Sequence, residues 1–134
     1  MSIVAVRRAL EGALNGMTPA LSTAWENAKF SPVTGTAYQT AHLMPAEPDN
    51  PVYGDEYVEQ GIFQITLYYP EGNGAAAAMA RAELIRDTFY RGATFTNGGI
   101  SVIIQRTPEI APGDSESGRF VLIVRVRYFA NVFT

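Results

Sequence analysis

The chain has 134 residues, 47% of them apolar, and a formal net charge of −3 at pH 7. This length fits one domain, residues 1–134, and the absence of cysteine excludes disulfides, thiolate zinc sites and cysteine nucleophiles. The acidic balance disfavours specific nucleic acid binding, and no apolar run approaches the roughly 20 residues that span a membrane. We therefore expect a soluble, unexported domain with no membrane contact.

The first predicted elements are a helix and two strands. Apolar residues recur at helical spacing from residue 2 until Asn15-Gly16, opposite a charged side: Ile3, Val6, Leu10, Leu14 and Met17 against Arg7, Arg8 and Glu11. A strand is expected over 23–30, before Ser31-Pro32, and a second over 36–44. Neither side of this second strand is cleanly apolar, so the sequence does not decide which of its faces is buried.

A loop rich in proline and acidic residues follows over 45–57. Its members are Pro45, Pro48, Pro51 and Gly54 with the acids Glu47, Asp49, Asp55 and Glu56. Loops of this length are uncommon inside a compact domain and often carry function. We interpret it as a contact arm, with Glu47, Asp49, Tyr53, Asp55 and Tyr57 as candidate interface residues.

A strand and a helix occupy the centre of the chain. Phe63, Ile65, Leu67 and Tyr69 alternate with polar residues, which predicts a half-buried strand over 60–69 that ends at Pro70. A helix is expected up to residue 91, before Gly92. Its predicted sides are apolar Ala78, Ala82, Ile85 and Phe89 with Met79 beside them, and solvated Arg81, Glu83, Arg86 and Asp87.

The alanine run at 75–78 has two interpretations. The small side chains would let the helix lie close to the sheet, or alanines on its outward side would admit a second subunit.

The C-terminal third predicts a turn over 95–99, a strand over 100–105, a flexible loop over 106–118 and a long last strand. In that strand Phe120, Leu122, Val124, Val126 and Tyr128 share one side, and Arg119, Val121, Ile123, Arg125 and Arg127 share the other. The second side mixes apolar and basic residues, so we expect a partner to cover it or a ring to enclose it, with Arg125 and Arg127 near a subunit contact or the inner wall.

These elements predict an α+β fold, with an antiparallel-rich sheet of four to five strands and two helices packed on one face.

Residues for catalysis or metal binding are scarce. His42 is the only histidine, which we interpret as structural, and the acids Asp49, Asp55, Glu56 and Glu59 lack the spacing of a calcium loop. Gly72-x-Gly74 lacks the third glycine of a phosphate-binding turn. The sequence therefore predicts no enzyme and no catalytic, cofactor or metal site.

Several short motifs together resemble the small tail-terminator, or tail-completion, proteins of long-tailed bacteriophages. They are the N-terminal helix, the strand 38–43 closing on Pro45, Glu47-Pro48, the run from Tyr57 to Gly61 into Phe63-Gln64-Ile65, Tyr69-Pro70-Glu71-Gly72, the helix ending 85–92, and the closing strand 119–129. The alternation Gly-x-Phe-Gln-Ile before a proline turn and a helix is the most particular of them.

This resemblance implies a structural virion protein at the head-proximal end of the tail, assembled in the bacterial host cytoplasm. It would form a ring, a hexamer, that caps the tail tube, ends tube polymerisation and offers a docking surface to the head side. The implied partners are further copies of the chain, the major tail tube protein and a head-completion or connector protein.

Two other functions stay open on the residues alone. A neck or head-tail connector would share the size and the ring but bind elsewhere in the virion. A small ligand-binding or enzymatic α+β domain would need a concave pocket, for which His42, Tyr53, Asp55 and Tyr57 are the candidate cluster.

Overall fold

The fold comes from a computed structural model that describes residues 2–31, 36–51, 53–54, 56–70, 72, 75–111, 113–116 and 118–132. In chain order the elements are α1 (Ser2–Asn15), β1 (Thr23–Trp25), β2 (Tyr38–Pro45), β3 (Tyr57–Pro70), α2 (Ala76–Thr88), β4 (Thr94–Asn97), β5 (Ile100–Ile104), β6 (Glu109–Ile110), β7 (Asp114–Glu116) and β8 (Arg119–Val132). Neither helix in these ranges is long and apolar enough to cross a membrane.

One mixed sheet connects all the strands of the described residues. Its order is β1-β2-β3-β8-β5-β4, and β6 and β7 also pair with β8. The β1–β2 pair is parallel, and the other pairs are antiparallel. The α+β class and the two helices are as predicted, but a sheet of four to five strands was wrong, because eight strands are present.

The two longest strands, β3 and β8, form the centre of the sheet. They pair in register from Tyr57 opposite Val132 to Pro70 opposite Arg119. Their predicted alternation is confirmed, since Phe63, Ile65 and Leu67 of β3 are fully buried. The inward residues of β8 are also fully buried: Leu122, Val124, Val126, Tyr128 and Ala130.

Both helices contribute to the core on this inward face. Val6, Leu10 and Leu14 of α1 and Ala78, Ala82 and Ile85 of α2 join the inward strand residues in one cluster. Ala78 and Ala82 are fully buried, so small side chains do let α2 lie close to the sheet. The sequence did not decide which face of β2 is buried. In the structure its inward residues are Gln39, Ala41 and Leu43.

Three predicted boundaries differ from the structure. The predicted strand over 23–30 ends at Trp25, since Asn27 turns the chain with a φ of 55°. The turn expected over 95–99 has its tip at Gly98-Gly99, within the predicted turn, but residues 94–97 already belong to β4 of a β4–β5 hairpin. The predicted flexible loop over 106–118 contains β6 and β7, both paired with β8.

Two side-chain placements on α2 were also wrong, and the helix ends at Thr88 rather than at residue 91. Arg81, expected on the solvated side, is only 6% exposed, and its Nη1 donates a hydrogen bond to the carbonyl of Pro19. Burial lowers the pKa of Arg81, although nearby Tyr69 opposes that shift. Met79, expected beside the core, is 42% exposed.

Candidate functional site

The candidate site is the outer face of the sheet, opposite the face on which the helices pack. The alternation in β8 places Arg125 and Arg127 on this face, as the sequence predicted. The register puts Arg125 opposite Gln64 and Arg127 opposite Ile62. One step further, on β2, lie His42 and Met44. The face therefore carries basic, polar and apolar side chains side by side.

Aromatic residues cover one end of the outer face. The rings of Tyr38 and Tyr68 stack with centroids 4.7 Å apart, and Phe30 lies 5.1 Å from Tyr38. The guanidinium of Arg119 lies 4.9 Å from the centre of the Tyr38 ring and donates a 2.7 Å hydrogen bond to the carbonyl of Thr36. Val121, the β8 residue opposite Tyr68 at this end, is buried.

The other end of the outer face is open and basic. Two grooves, of about 510 and 410 Å³, share a wall made by Gln105, Arg106 and Thr107. We call their combined surface the arginine groove, and define it by Arg91, Gln105, Arg106, Thr107, Arg125 and Arg127. Glu109 also lines it and comes within 3.9 Å of Arg125. The groove thus holds four guanidinium groups around one carboxylate.

A strand of the sheet and a helix hold the arginine groove in place. The backbone N–H of Gln105 donates to the carbonyl of Arg127 at 2.9 Å, which fixes the segment after β5 against β8. From α2, Arg86 donates two hydrogen bonds, 3.1 and 3.0 Å long, to the carbonyl of Pro108. The groove is therefore a formed surface, because its wall is bonded to a helix and to a strand.

A smaller pocket adjoins the groove. It has a volume of about 240 Å³ and is lined by Met44, Ala46, Gln60, Gly61, Ile62, Gln105 and Arg127. Met44 is 40% exposed and Ile62 is half-buried, so the pocket has an apolar floor with a guanidinium at its edge. We call it the Met44 pocket.

The predicted contact arm lies beyond the same end of the sheet. We define the acidic arm as residues 46–56; the candidate Asp55 lies outside the described residues, as does residue 52. Glu47, Asp49 and Glu56 are exposed, and Tyr53 is fully exposed at 106%. The candidate Tyr57 is half-buried and begins β3.

The base of the acidic arm is hydrogen-bonded to β3. Asp49 and Val58 exchange two backbone hydrogen bonds of 3.0 and 2.8 Å. Ala46 N–H donates to the carbonyl of Gln60 at 2.8 Å, and the Gln60 side chain donates to the carbonyl of Glu47 at 3.0 Å. The first residues of the arm thus extend the line of β2 beyond the sheet, while the tip carries the exposed tyrosine.

The structure does not bring the candidate ligand-binding cluster together. His42 pairs with Gln64, seven residues along β3 from Tyr57, which separates their backbones by about 23 Å. Tyr53 lies in solvent, and Asp55 is outside the described residues. Among the residues described, no group of three or more potential metal ligands occurs.

His42 instead belongs to an ion cluster at the edge of the sheet. Its Nδ1 lies 3.6 Å from Glu26, whose other carboxylate oxygen accepts a 2.6 Å hydrogen bond from Leu43 N–H and lies 3.1 Å from Arg7. Burial raises the pKa of Glu26, but the hydrogen bonds from Leu43 and Arg7 outweigh it, so the pKa is lowered overall. Glu26 thereby caps the part of β2 that extends past β1.

Sequence comparison identifies the family. A sequence model of the phage tail terminator protein family matches residues 5–128. The chain belongs to the phage tail terminator protein family. The resemblance seen in the short motifs is therefore confirmed, and this terminator is a structural component of the phage tail rather than a member of an enzyme family.

Structure comparison agrees in fold. Seven chains of solved structures match this terminator. One of them, a protein designated only by a sequence identifier, matches over 100% of this chain and 99% of its own length, with a TM-score of 0.82 and 25% identity. No curated protein sequence matches the chain.

Most of the arginine groove could not be found from the sequence. Arg125 and Arg127 were candidates because their alternation in β8 was clear. Arg91 and Arg106 follow α2 and β5 in irregular segments, and nothing in their spacing places them beside β8. Their positive charge was the only available signal.

Proposed function

We propose that this terminator forms a ring, a hexamer, that caps the phage tail tube, ends tube polymerisation and presents a docking surface to the head side. The single observation that carries the proposal, given the family, is the outer face of the sheet. It leaves Met44 40% exposed beside Ile62 and the exposed Arg127, whereas both helices pack on the opposite face. An exposed face of apolar and basic residues suits contact with another protein surface.

The acidic arm supports the same function. An exposed segment with a tyrosine at its tip is typical of protein contacts, because tyrosine supplies a large area with few rotatable bonds. Apart from Ala46, which lines the Met44 pocket, the arm and the outer face are different patches, so a contact between them joins copies head to tail. Such heterologous contacts close into rings when the rotation between copies allows it.

The proposed partners follow from this position in the virion. One side of the ring would contact the major tail tube protein, and the other a head-completion or connector protein. Assembly would take place in the bacterial host cytoplasm, and the finished ring would sit at the head-proximal end of the tail.

Tube growth in vitro tests the proposal. Purified tail tube protein is polymerised with and without this terminator, and tube lengths and ends are examined by negative-stain microscopy. We expect shorter tubes with a ring at one end, and native mass spectrometry of that complex should give the copy number. Unchanged tube lengths and bare ends would contradict the proposal. Retention of the terminator by portal or adaptor protein, and not by tube, would instead favour a neck connector.

A further inference from the structure

The terminator carries two surfaces of opposite charge at one end of its sheet. Four of its ten basic residues, Arg91, Arg106, Arg125 and Arg127, line the arginine groove. The acidic arm has four carboxylates, Glu47, Asp49, Asp55 and Glu56, and no lysine or arginine. The net charge of the chain is only −3, so the clustering of positive charge in the groove and of negative charge in the arm is a local feature and does not follow from the composition.

The described residues of the two surfaces form no ion pair with each other within one copy. Among the described residues, Arg125 forms the one ion pair found in the groove, a 3.9 Å contact with Glu109. The described carboxylates of the arm, those of Glu47, Asp49 and Glu56, form no ion pair with a described residue. Both surfaces are thus available to a charged partner.

Asp49, in the first half of the acidic arm, lies far from Arg125 of its own copy. Asp49 is bonded to Val58, while Arg125 lies opposite Gln64, six residues further along β3. Six strand residues correspond to about 20 Å. Asp49 also lies on the β2 side of β3, and Arg125 lies on the β8 side. The carboxylate of Asp49 therefore cannot reach Arg125 in the same copy.

The Met44 pocket offers a place for the aromatic tip of the arm. Tyr53 is fully exposed, and the pocket of about 240 Å³ presents Met44 and Ile62 with Arg127 at its edge. A tyrosine ring between a thioether and a guanidinium gains apolar contact and a cation–π interaction. Pocket and groove share Gln105 and Arg127, so one segment could occupy both.

We propose that the acidic arm of one copy docks in the arginine groove of a second copy, with Tyr53 in the Met44 pocket. The partner is a copy of this chain because the complementary charges and the exposed aromatic occur on the chain itself. This inference rests on the proposed ring, and it names the contact that closes it. The arm supplies the acceptors and the groove supplies the donors of every pair, so the direction of assembly is fixed.

Crosslinking between copies tests the contact directly, because the chain has no cysteine of its own. One copy carries Tyr53→Cys, a second copy of different mass carries Met44→Cys, and a short bifunctional maleimide joins thiols that lie close together. The reaction is run on the free protein and on protein bound to tail tubes. We expect a heterodimer band in at least one of the two. Ala80→Cys, on the exposed side of α2, replaces Met44→Cys as the control and should give no such band.

Charge reversal tests the chemistry of the contact. Arg91→Glu with Arg106→Glu, or Glu47→Lys with Asp49→Lys, should each lower the yield of the heterodimer by about tenfold, and the four changes together should restore it. Arg8→Glu, an exposed change of the same charge on α1, should leave the yield unchanged. Circular dichroism of each variant confirms that it is folded.

The outcomes separate this contact from the proposed function. If rings form on tubes but no heterodimer band appears in either condition, the inference is wrong and the proposed function stands. If the band appears but tubes grow unchecked, the contact is real and tube capping is wrong. Restoration by the fourfold reversal supports charge pairing between copies, and a fourfold variant that stays uncrosslinked overturns it.

Discussion

At the scale of single residues, Gly61 lies where the structure leaves no room for a Cβ atom. It points inward from β3, opposite Tyr128 of β8. A Cβ atom at Gly61 would lie 2.5 Å from the carbonyl oxygen of Met44 and 2.8 Å from the hydroxyl of Tyr128. Tyr128 is fully buried, and burial, together with the charge of Glu59, raises its pKa to about 12. The glycine of the Gly-x-Phe-Gln-Ile motif therefore makes space for a buried tyrosine.

We predict that Gly61→Ala destabilises the fold by about 1–3 kcal/mol, the usual cost of forcing extra volume into a packed interior. Thermal unfolding followed by circular dichroism measures the effect. Gly12→Ala is the matched control, since no atom lies within 4 Å of a Cβ at Gly12 and alanine favours its helix. If Gly61→Ala unfolds at the same temperature as Gly12→Ala, the fold does not require a glycine at position 61.

At the scale of elements, two hydrogen bonds between α2 and the segment before β6 support the arginine groove. Arg86 bonds the carbonyl of Pro108 through both Nε and Nη2, and Pro108 is itself buried. The segment on either side pairs with β8 through the N–H groups of Gln105 and Ala111. A helix residue thus determines where Arg106 and Thr107 lie.

We predict that Arg86→Ala loosens this segment and lowers stability by about 1.5–3 kcal/mol, since hydrogen bonds from a charged donor are lost. Hydrogen exchange should accelerate at the amides of Gln105 and Ala111. Arg91→Ala removes an exposed groove arginine for which the structure shows no such bond, and it should leave both amides protected. Equal exchange in the wild type and Arg86→Ala would show that the β8 pairing alone holds the segment.

At this scale, the sequence predicted the long strands and missed the short ones. The long strands β3 and β8 were predicted with their buried faces because alternation over many residues is a strong local signal. β6 and β7 have two and three residues, too few to show a period. They form because β5 pairs with β8 only over residues 128–130, which leaves residues 119–125 of β8 to pair with them on that side. Arg81 and Arg86 were both expected in solvent, since their acceptors, the carbonyls of Pro19 and Pro108, are distant in sequence.

The candidate site likewise has residues that the sequence could place and residues that it could not. Arg125 and Arg127 were placed on one face by the period of β8, and the exposed arm was indicated by its prolines and acids. The groove as a whole needs β8, the segment after β5 and the residues after α2 to meet, which depends on tertiary pairing. Gly61 was noticed within a motif, but the reason for a glycine there, the carbonyl oxygen of Met44 and the hydroxyl of Tyr128 on the neighbouring strands, required the register.

At the scale of the whole molecule, the two faces of the sheet have separate tasks. The inward face holds the helices and the core, and the outer face keeps its aromatic end covered and its basic end open. Changes at the basic end should therefore alter assembly without unfolding the chain. Arg127 is exposed and Arg125 retains a third of its side-chain surface, so neither supports the core.

We predict that Arg125→Glu combined with Arg127→Glu abolishes tube capping while the variant stays folded. Two positive charges become two negative ones beside Glu109, so an acidic segment that docks there would be repelled rather than attracted. Tube lengths and tail attachment measure assembly, and thermal unfolding measures the fold. Arg7→Glu is not a suitable control because Arg7 pairs with Glu11 and Glu26, whereas Arg8→Glu changes an exposed charge on α1 and should cap tubes like the wild type. If the double variant caps tubes as well as Arg8→Glu does, the basic end of the outer face has no part in assembly.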